Sequence, residues 1–160
     1  MTRVLYPGSF DPVHNGHVEL AETASGLFDE VVVAALVNPT KGGGLFSLDD
    51  RMAMLQESLE YLPNVETTKF DGLVVDLATH IGADFIIKGL RAVSDFEAEL
   101  QMAQMNSALS GVQTLFLPSA SRSSFLASRL IREVIRLGGD VSEMVPEPVQ
   151  LRLRSGAIDE

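Results

Sequence analysis

The chain has no cysteine and no tryptophan, only three lysines, and no clean apolar run longer than residues 31–37. Without thiols there is no disulfide framework, no thiolate metal site and no cysteine nucleophile. The longest apolar run falls far short of the roughly 20 residues a membrane helix needs. The opening Met-Thr-Arg-Val-Leu-Tyr-Pro-Gly has no long apolar stretch behind its charge, so no signal peptide is expected and a reducing, cytoplasmic setting is. Positive charge is scarce as well: 12 basic residues face 22 acidic ones, giving −10 at pH 7. Nucleic acid and anionic membranes repel such a chain, which argues against broad polyanion binding. A small anion can still bind where cations are locally concentrated.

What is present is globular material. The 160 residues are 46% hydrophobic and 21% charged, enough to bury one core and too apolar for a disordered chain. We read 1–160 as a single domain, with about 150–160 as a tail whose order is left open. No repeat or low-complexity tract occurs. Strand-like and helix-like segments alternate instead. Residues 3–6, 31–37, 65–70, 85–87 and 114–117 read as strands, each bounded by turn residues. Between them, helical spacing runs over 16–27, 47–62, 73–81 and 94–109, and a helix is expected over 124–137 after the last strand. Ser47 with Asp50, and Ser94 with Glu97, look like capping boxes. Met52, Leu55, Leu59 and Leu62 are expected on the buried face of the second helix. The pattern predicts an α/β, Rossmann-like single domain: a five-stranded, mainly parallel sheet with helices on both faces. Ligands in such folds bind beyond the carboxyl ends of the strands. Chemistry is therefore expected in the loops at 7–17, 38–47, 71–74, 88–94 and 118–125.

The first of these loops reads Tyr6-Pro7-Gly8-Ser9-Phe10-Asp11-Pro12-Val13-His14-Asn15-Gly16-His17. It bends tightly and then opens a helix, whose free N–H groups favour phosphate. Ser9 and His17 add side-chain donors. His14 and His17, three apart, can share a helical face. They could instead pair on a metal, but no third Cys or His is near, or they could be surface residues. Lys88 and Arg91 put two cations at a strand end, where an anion or plain solvation would suit them. Glu97 is explained as a cap; Glu99, pointing elsewhere, could accept hydrogen bonds from a ribose. Met102, Met105 and Leu109 form a helical stripe that suits core or a subunit interface. Lys41 precedes three glycines and is long enough to reach across a cleft, while Lys69 reads as a surface strand residue. Four arginines between 122 and 136 against one glutamate reverse the chain's overall charge locally.

Ser9-Phe10-Asp11-Pro12 with His14-Asn15-Gly16-His17 resembles the signature of the nucleotidylyltransferase superfamily. The run from Lys88-Gly89-Leu90-Arg91 through Asp95-Phe96-Glu97 and Glu99 to Met105-Asn106 is similar to that of the phosphopantetheine adenylyltransferase family. The likeness covers all but about the last ten residues. It implies transfer of the adenylyl group of ATP to 4′-phosphopantetheine, giving dephospho-CoA and pyrophosphate, with Mg2+ accompanying ATP and no protein-held metal. By residue, it implies catalytic roles for His17, Lys41 and Arg91. It implies ATP contacts from Ser9, Phe10, His17, Gly89, Leu90, Arg91, Glu99, Ser123, Ser124, Phe125 and Ser128. Phosphopantetheine contacts are implied for Ser9, Lys41, Leu73, Val74, Lys88 and Asn106. A homohexamer and feedback by CoA are expected on the same ground, with no nucleic-acid or membrane partner.

The chain departs from the family pattern at Ala127 and Arg129, which stand in a usually serine-rich element of which Ser128 remains. Lys88, Ala98 and His14 are smaller departures. Backbone N–H groups can hold phosphate without side chains. Another nucleotidylyltransferase, acting on nicotinamide or nicotinate mononucleotide, and a catalytically weak nucleotide-binding protein are the alternatives.

Overall fold

The structure is a computed structural model that describes residues 1–37, 44–156 and 158; the side chains of Val93, Ser94, Asp95 and Ser121 also lie outside the description. Lys41 and the glycines that follow it at 42 and 43 are therefore outside it, as is much of the end of the tail.

Five strands form one all-parallel sheet: β1 (Arg3–Gly8), β2 (Glu30–Val37), β3 (Val65–Asp71), β4 (Phe85–Leu90) and β5 (Gln113–Pro118). The order across the sheet is β3-β2-β1-β4-β5. Among the described residues six α-helices accompany them: α1 (Asn15–Leu27), α2 (Leu48–Leu59), α3 (Val74–Ile81), α4 (Val93–Ser110), α5 (Ser128–Arg136) and α6 (Glu147–Ser155). No helix among the described residues is long and apolar enough to cross a membrane.

Successive side chains of a strand point to opposite faces, and here both faces are dry. Val4, Tyr6, Val31, Val33 and Ile87 join a core with Ala21 and Ala24 of α1, Met54, Leu55 and Leu59 of α2, and Ile131 of α5. Leu5, Val32, Ala34 and Ile86 join a second core with Val75, Leu77 and Ala78 of α3. That double burial is why 31–37 reads as a continuous apolar run rather than an alternating one.

Several boundaries differ from the sequence expectation, each for a local reason. Ser47 caps α2 as expected, its Oγ accepting from the Asp50 N–H at 3.1 Å. Within α2 the buried positions include Met54; Met52, and Leu62 beyond the end of the helix, are only partly buried where they pack against the core. The side chain of Ser94, the expected cap of α4, lies outside the description; the helix begins at Val93, behind Ala92, which makes no side-chain cap hydrogen bond. The expected helix over 124–137 starts only at Ser128, after a 3₁₀ turn over Ser121–Ser123. Serine-rich segments favour turns over helix starts because their hydroxyls compete for backbone groups. Met102, Met105 and Leu109 are 55%, 57% and 60% exposed, so the α4 stripe is not part of this chain's core.

The loop after β1 is braced from three directions. Asp11 is buried, and its carboxylate oxygens accept the Leu45 and Phe46 N–H groups, each at 3.0 Å. Its carbonyl accepts from Arg132 Nη1 of α5 at 2.8 Å. Arg51 of α2 donates from Nη1 to the Ser9 carbonyl at 2.7 Å. Asp11→Ala leaves two buried N–H groups without an acceptor, which should lower stability by roughly 2–4 kcal/mol. Urea unfolding should show it as a lower midpoint at unchanged slope.

Candidate functional site: a cation-lined crevice where β1 and β4 part

The position of the cleft follows from the ladder. β1 pairs with β2 along its whole length, to Gly8 opposite Ala35, and β4 with β5 as far as Leu90 opposite Pro118. β1 and β4 pair only at Val4–Phe85 and Leu5–Ile86. Beyond that point the two central strands diverge, at the place where strand order reverses, and a crevice at such a switch point is where parallel sheets bind ligands. The cleft has a volume of about 1090 Å³. Its walls come from the β1 loop, the end of β4 with the start of α4, and the segment leading into α5.

The β1 loop puts an unusual cap on α1. His14 is the N-cap residue, and its Nδ1 accepts from the Gly16 N–H at 3.1 Å. His17 Nδ1 accepts in turn from the His14 N–H at 3.1 Å. Two imidazoles thus do the work that Ser or Thr and Glu do in an ordinary capping box. The rings stack with centroids 3.6 Å apart, and Phe10 meets His17 edge-on at 4.9 Å. A Cβ at Gly16 would stand 3.0 Å from His14 Cε1, so the bare Cα makes room for the ring.

Because each Nδ1 receives a backbone N–H, neither can carry its own proton; in the neutral ring the proton is on Nε2. Electrostatics keeps the rings neutral. Burial, then Arg91, push His14 down to about 4, against a smaller opposing pull from Glu19. Burial, then His14, Arg91 and Lys88, push His17 well below the ordinary imidazole value. His17 is therefore a neutral, oriented Nε2–H donor on a ring that lines the cleft.

Around it the cleft gathers Ser9, Lys88, Gly89, Arg91, Glu99, Ser123, Ser124, Phe125 and Ser128, all anticipated from sequence. Lys88 Nζ lies 3.6 Å from Glu99 Oε2, so that carboxylate faces a cation. Arg91 donates to the Leu126 carbonyl. Ser128 Oγ donates to the Pro12 carbonyl at 3.0 Å, tying the start of α5 to the β1 loop. Five anticipated residues do not line the cleft. Phe10 is buried behind it, Leu90 belongs to β4, and Asn106 is buried on α4. Leu73 and Val74 follow β3, which strand order places at the far edge of the sheet, two strands from β1.

Sequence reasoning missed the residues that hold the loop rather than face the ligand: Asp11, Arg51 and Arg132, together with the capping role of His14. The one available signal was an aspartate between Phe10 and Pro12, a poor place for a solvated carboxylate. Among the described residues no group of three or more His, Asp or Glu could hold a metal. Among the described residues, the carboxylates lining the cleft are Asp11, committed to backbone amides, and Glu99, beside Lys88.

The histidine pair makes stability depend on pH with a definite sign. Between about pH 6.5 and about 4 the unfolded chain takes up a proton at His14 that the folded chain refuses. Stability is then complete above the ordinary imidazole range and falls as pH drops, by up to about 1.4 kcal/mol per pH unit for each imidazole. His14→Asn keeps a capping acceptor without titrating. Unfolding midpoints at pH 7 and pH 5 should differ less in that variant than in the parent.

The crevice brings together a neutral imidazole donor, Lys88, Arg91 and the start of a helix, groups whose chemistry suits an anionic ligand. Residues 5–134, from the middle of β1 into α5, match a family model described as cytidylyltransferase-like. The match spans most of the chain and every wall of the cleft, so this α/β protein is a nucleotidyltransferase with a nucleotide substrate, and it belongs to the cytidylyltransferase-like family.

Proposed function

We propose that the chain transfers the adenylyl group of ATP to 4′-phosphopantetheine, releasing pyrophosphate and forming dephospho-CoA. The observation that supports this most is the neutral His17 donor beside Lys88 and Arg91. Choice of the acceptor rests on the run from Lys88 to Asn106.

In this reaction an oxygen of the acceptor phosphate attacks the α-phosphorus in line. The new P–O bond forms as the bond to the β-phosphate oxygen breaks, and pyrophosphate leaves with the electron pair. The acceptor is already an anion, so the protein needs no nucleophile. Its task is to bring two polyanions together and stabilise charge that builds on the transferring phosphoryl oxygens. His17 is assigned to the α-phosphate, Arg91 to the leaving phosphates, and Ser9 and Lys88 to the acceptor. Lys41, outside the described residues, is assigned to neutralising both reacting phosphates. Leu73, exposed beyond the carboxyl end of β3, and Val74 are assigned to the pantetheine arm. Magnesium would arrive on the nucleotide and offset polyphosphate charge. The exposed Met102, Met105 and Leu109 of α4 favour packing against further copies, in line with a homohexamer.

The decisive assay measures pyrophosphate release from ATP and magnesium with 4′-phosphopantetheine and, separately, with nicotinamide mononucleotide. Release with the first alone is expected. Release with the mononucleotide alone would overturn the acceptor, and ATP binding without release would favour a weak nucleotide binder. Ala127, which precedes α5 without a side-chain cap, and Arg129 are the departures that motivate this last reading. His17→Ala should lose at least about 10²-fold in turnover while remaining folded. Since His17 acts as a neutral donor, the pH–rate profile should show no step near the ordinary imidazole value of about 6.5.

A further inference from the structure

The match to the family model ends at residue 134, yet the chain beyond it returns to the start of α1. The Met144 carbonyl accepts the Asn15 N–H at 3.0 Å, one of the N–H groups that a helix start leaves unpaired. The Glu143 carbonyl accepts from Asn15 Nδ2 at 2.9 Å. Both oxygens stand at the positive end of the helix dipole, where negative partial charge is favoured. Asn15 lies between His14 and Gly16, so the two bonds fall inside the turn that presents His17.

The segment that supplies these carbonyls is itself fixed. Val141, Val145 and Val149 are buried in the core that also takes Phe10, Val13 and Ala21. Gln150 Nε2 of α6 donates to the Ser142 carbonyl at 2.7 Å and the Val145 carbonyl at 3.1 Å, stitching the helix to the segment before it. Arg152 then pairs with Asp50 Oδ1 at 3.5 Å and Glu57 Oε1 at 3.3 Å on α2. The same α2 holds the Ser9 carbonyl through Arg51. Residues 141–152 thus grip α1 at one end and α2 at the other, on either side of the β1 loop. The Asn15 Nδ2 bond is exposed to solvent and adds little stability. What it supplies is direction, at a helix end that would otherwise fray.

We infer that residues 141–152 clamp the start of α1, with Asn15 as the positioning residue through which they aim His17 into the cleft. The inference rests on the assignment of His17 to the transferring phosphate. A donor that acts by direction loses its effect when the turn beneath it shifts, even when substrates still bind.

The test compares the parent with Asn15→Ala, Asn15→Pro, Gln150→Ala and Asn64→Ala in turnover, KM, melting temperature and the NMR resonances of the His17 ring. Proline removes both donors at a position where it suits the helix: residue 15 opens α1, and His14 before it is already extended at φ −131° and ψ 173°. Gln150→Ala loosens the clamp without touching α1. Asn64→Ala is the control for lost stability, because Asn64 Nδ2 ties the far end of α1 at the Ser25 and Phe28 carbonyls. Turnover should fall about fivefold in Asn15→Ala and Gln150→Ala and about tenfold in Asn15→Pro, with KM for ATP within about twofold. The His17 resonances, set by the His14 and Phe10 rings beside it, should move in Gln150→Ala and stay in Asn64→Ala. Parental turnover in Asn15→Pro, an equal loss in Asn64→Ala, or unmoved His17 resonances in Gln150→Ala would each overturn the clamp. Should the proline variant not fold, Gln150→Ala decides alone. The two readings fail separately. If the parent releases no pyrophosphate with either acceptor while the His17 resonances move in Gln150→Ala and not in Asn64→Ala, transfer is wrong and the clamp stands. If release with 4′-phosphopantetheine is normal and the Asn15 and Gln150 variants match the parent, the reverse holds.

Discussion

The hydrogen bond from the His14 N–H to His17 Nδ1 links the fold of this protein to its chemistry. It closes the first turn of α1, selects the tautomer of His17, and exists only while that ring is neutral. Protonating His17 would put a hydrogen on the nitrogen that must accept, so cap and donor would be lost together. The loop that presents the pair is held under strain. Phe10 has φ 47°, an uncommon value for a residue with a side chain, and is nonetheless fully packed. Its ring lies edge-on to both Tyr6 and His17. A Cβ at Gly8 would stand 3.0 Å from that ring, so the glycine is required for the loop to fold back on itself. A backbone cost of roughly 1–3 kcal/mol is of the same order as the gain from burying a phenylalanine.

That loop would be of little use if the other walls could move independently. Arg132 and Ser128 of α5 hold the carbonyls of Asp11 and Pro12, and Arg91 holds the Leu126 carbonyl just before α5. Residues from β4, from the approach to α5 and from the β1 loop are thereby fastened across the gap where β1 and β4 separate. Two of these three ties use arginines. In a chain of −10, cations placed in the cleft serve both to close it and to attract an anion. This explains why the composition argues against binding a large polyanion and yet is compatible with a phosphorylated small molecule.

Much of the fold was legible because parallel sheets leave a strong trace. The apolar run at 31–37 and the turn residues after each strand locate the strands within a few positions, and four of the five loops that follow them contribute to the cleft. The fifth, after β3, does not, because strand order is a property of long-range pairing that no local pattern carries. The helix starts were harder. Ser94 has the right neighbours for a cap, yet α4 begins behind Ala92. After the 3₁₀ turn over Ser121–Ser123, the helix expected from about residue 124 begins only at Ser128. His14 was legible as a functional residue and not as a cap, since imidazoles rarely serve there. Asp11, Arg51 and Arg132 act on backbone carbonyls and amides of distant segments, contacts that leave no periodic signature.

The choice of a neutral donor at the centre of a cationic cleft has a physical logic. A charged imidazole would bind phosphate strongly in the ground state as well as in the transition state, and uniform binding does not accelerate the chemical step. A neutral N–H with a fixed direction gains most when charge concentrates on the oxygen it faces. In the proposed reaction the flanking cations contribute twice: they would attract the anions, and they add to burial and to His14 in keeping the imidazole neutral. The groups assigned to draw phosphate in therefore also help to set the protonation state of the residue assigned to act on it. In the proposed reaction, removing Lys88 or Arg91 would therefore change substrate attraction and donor chemistry together.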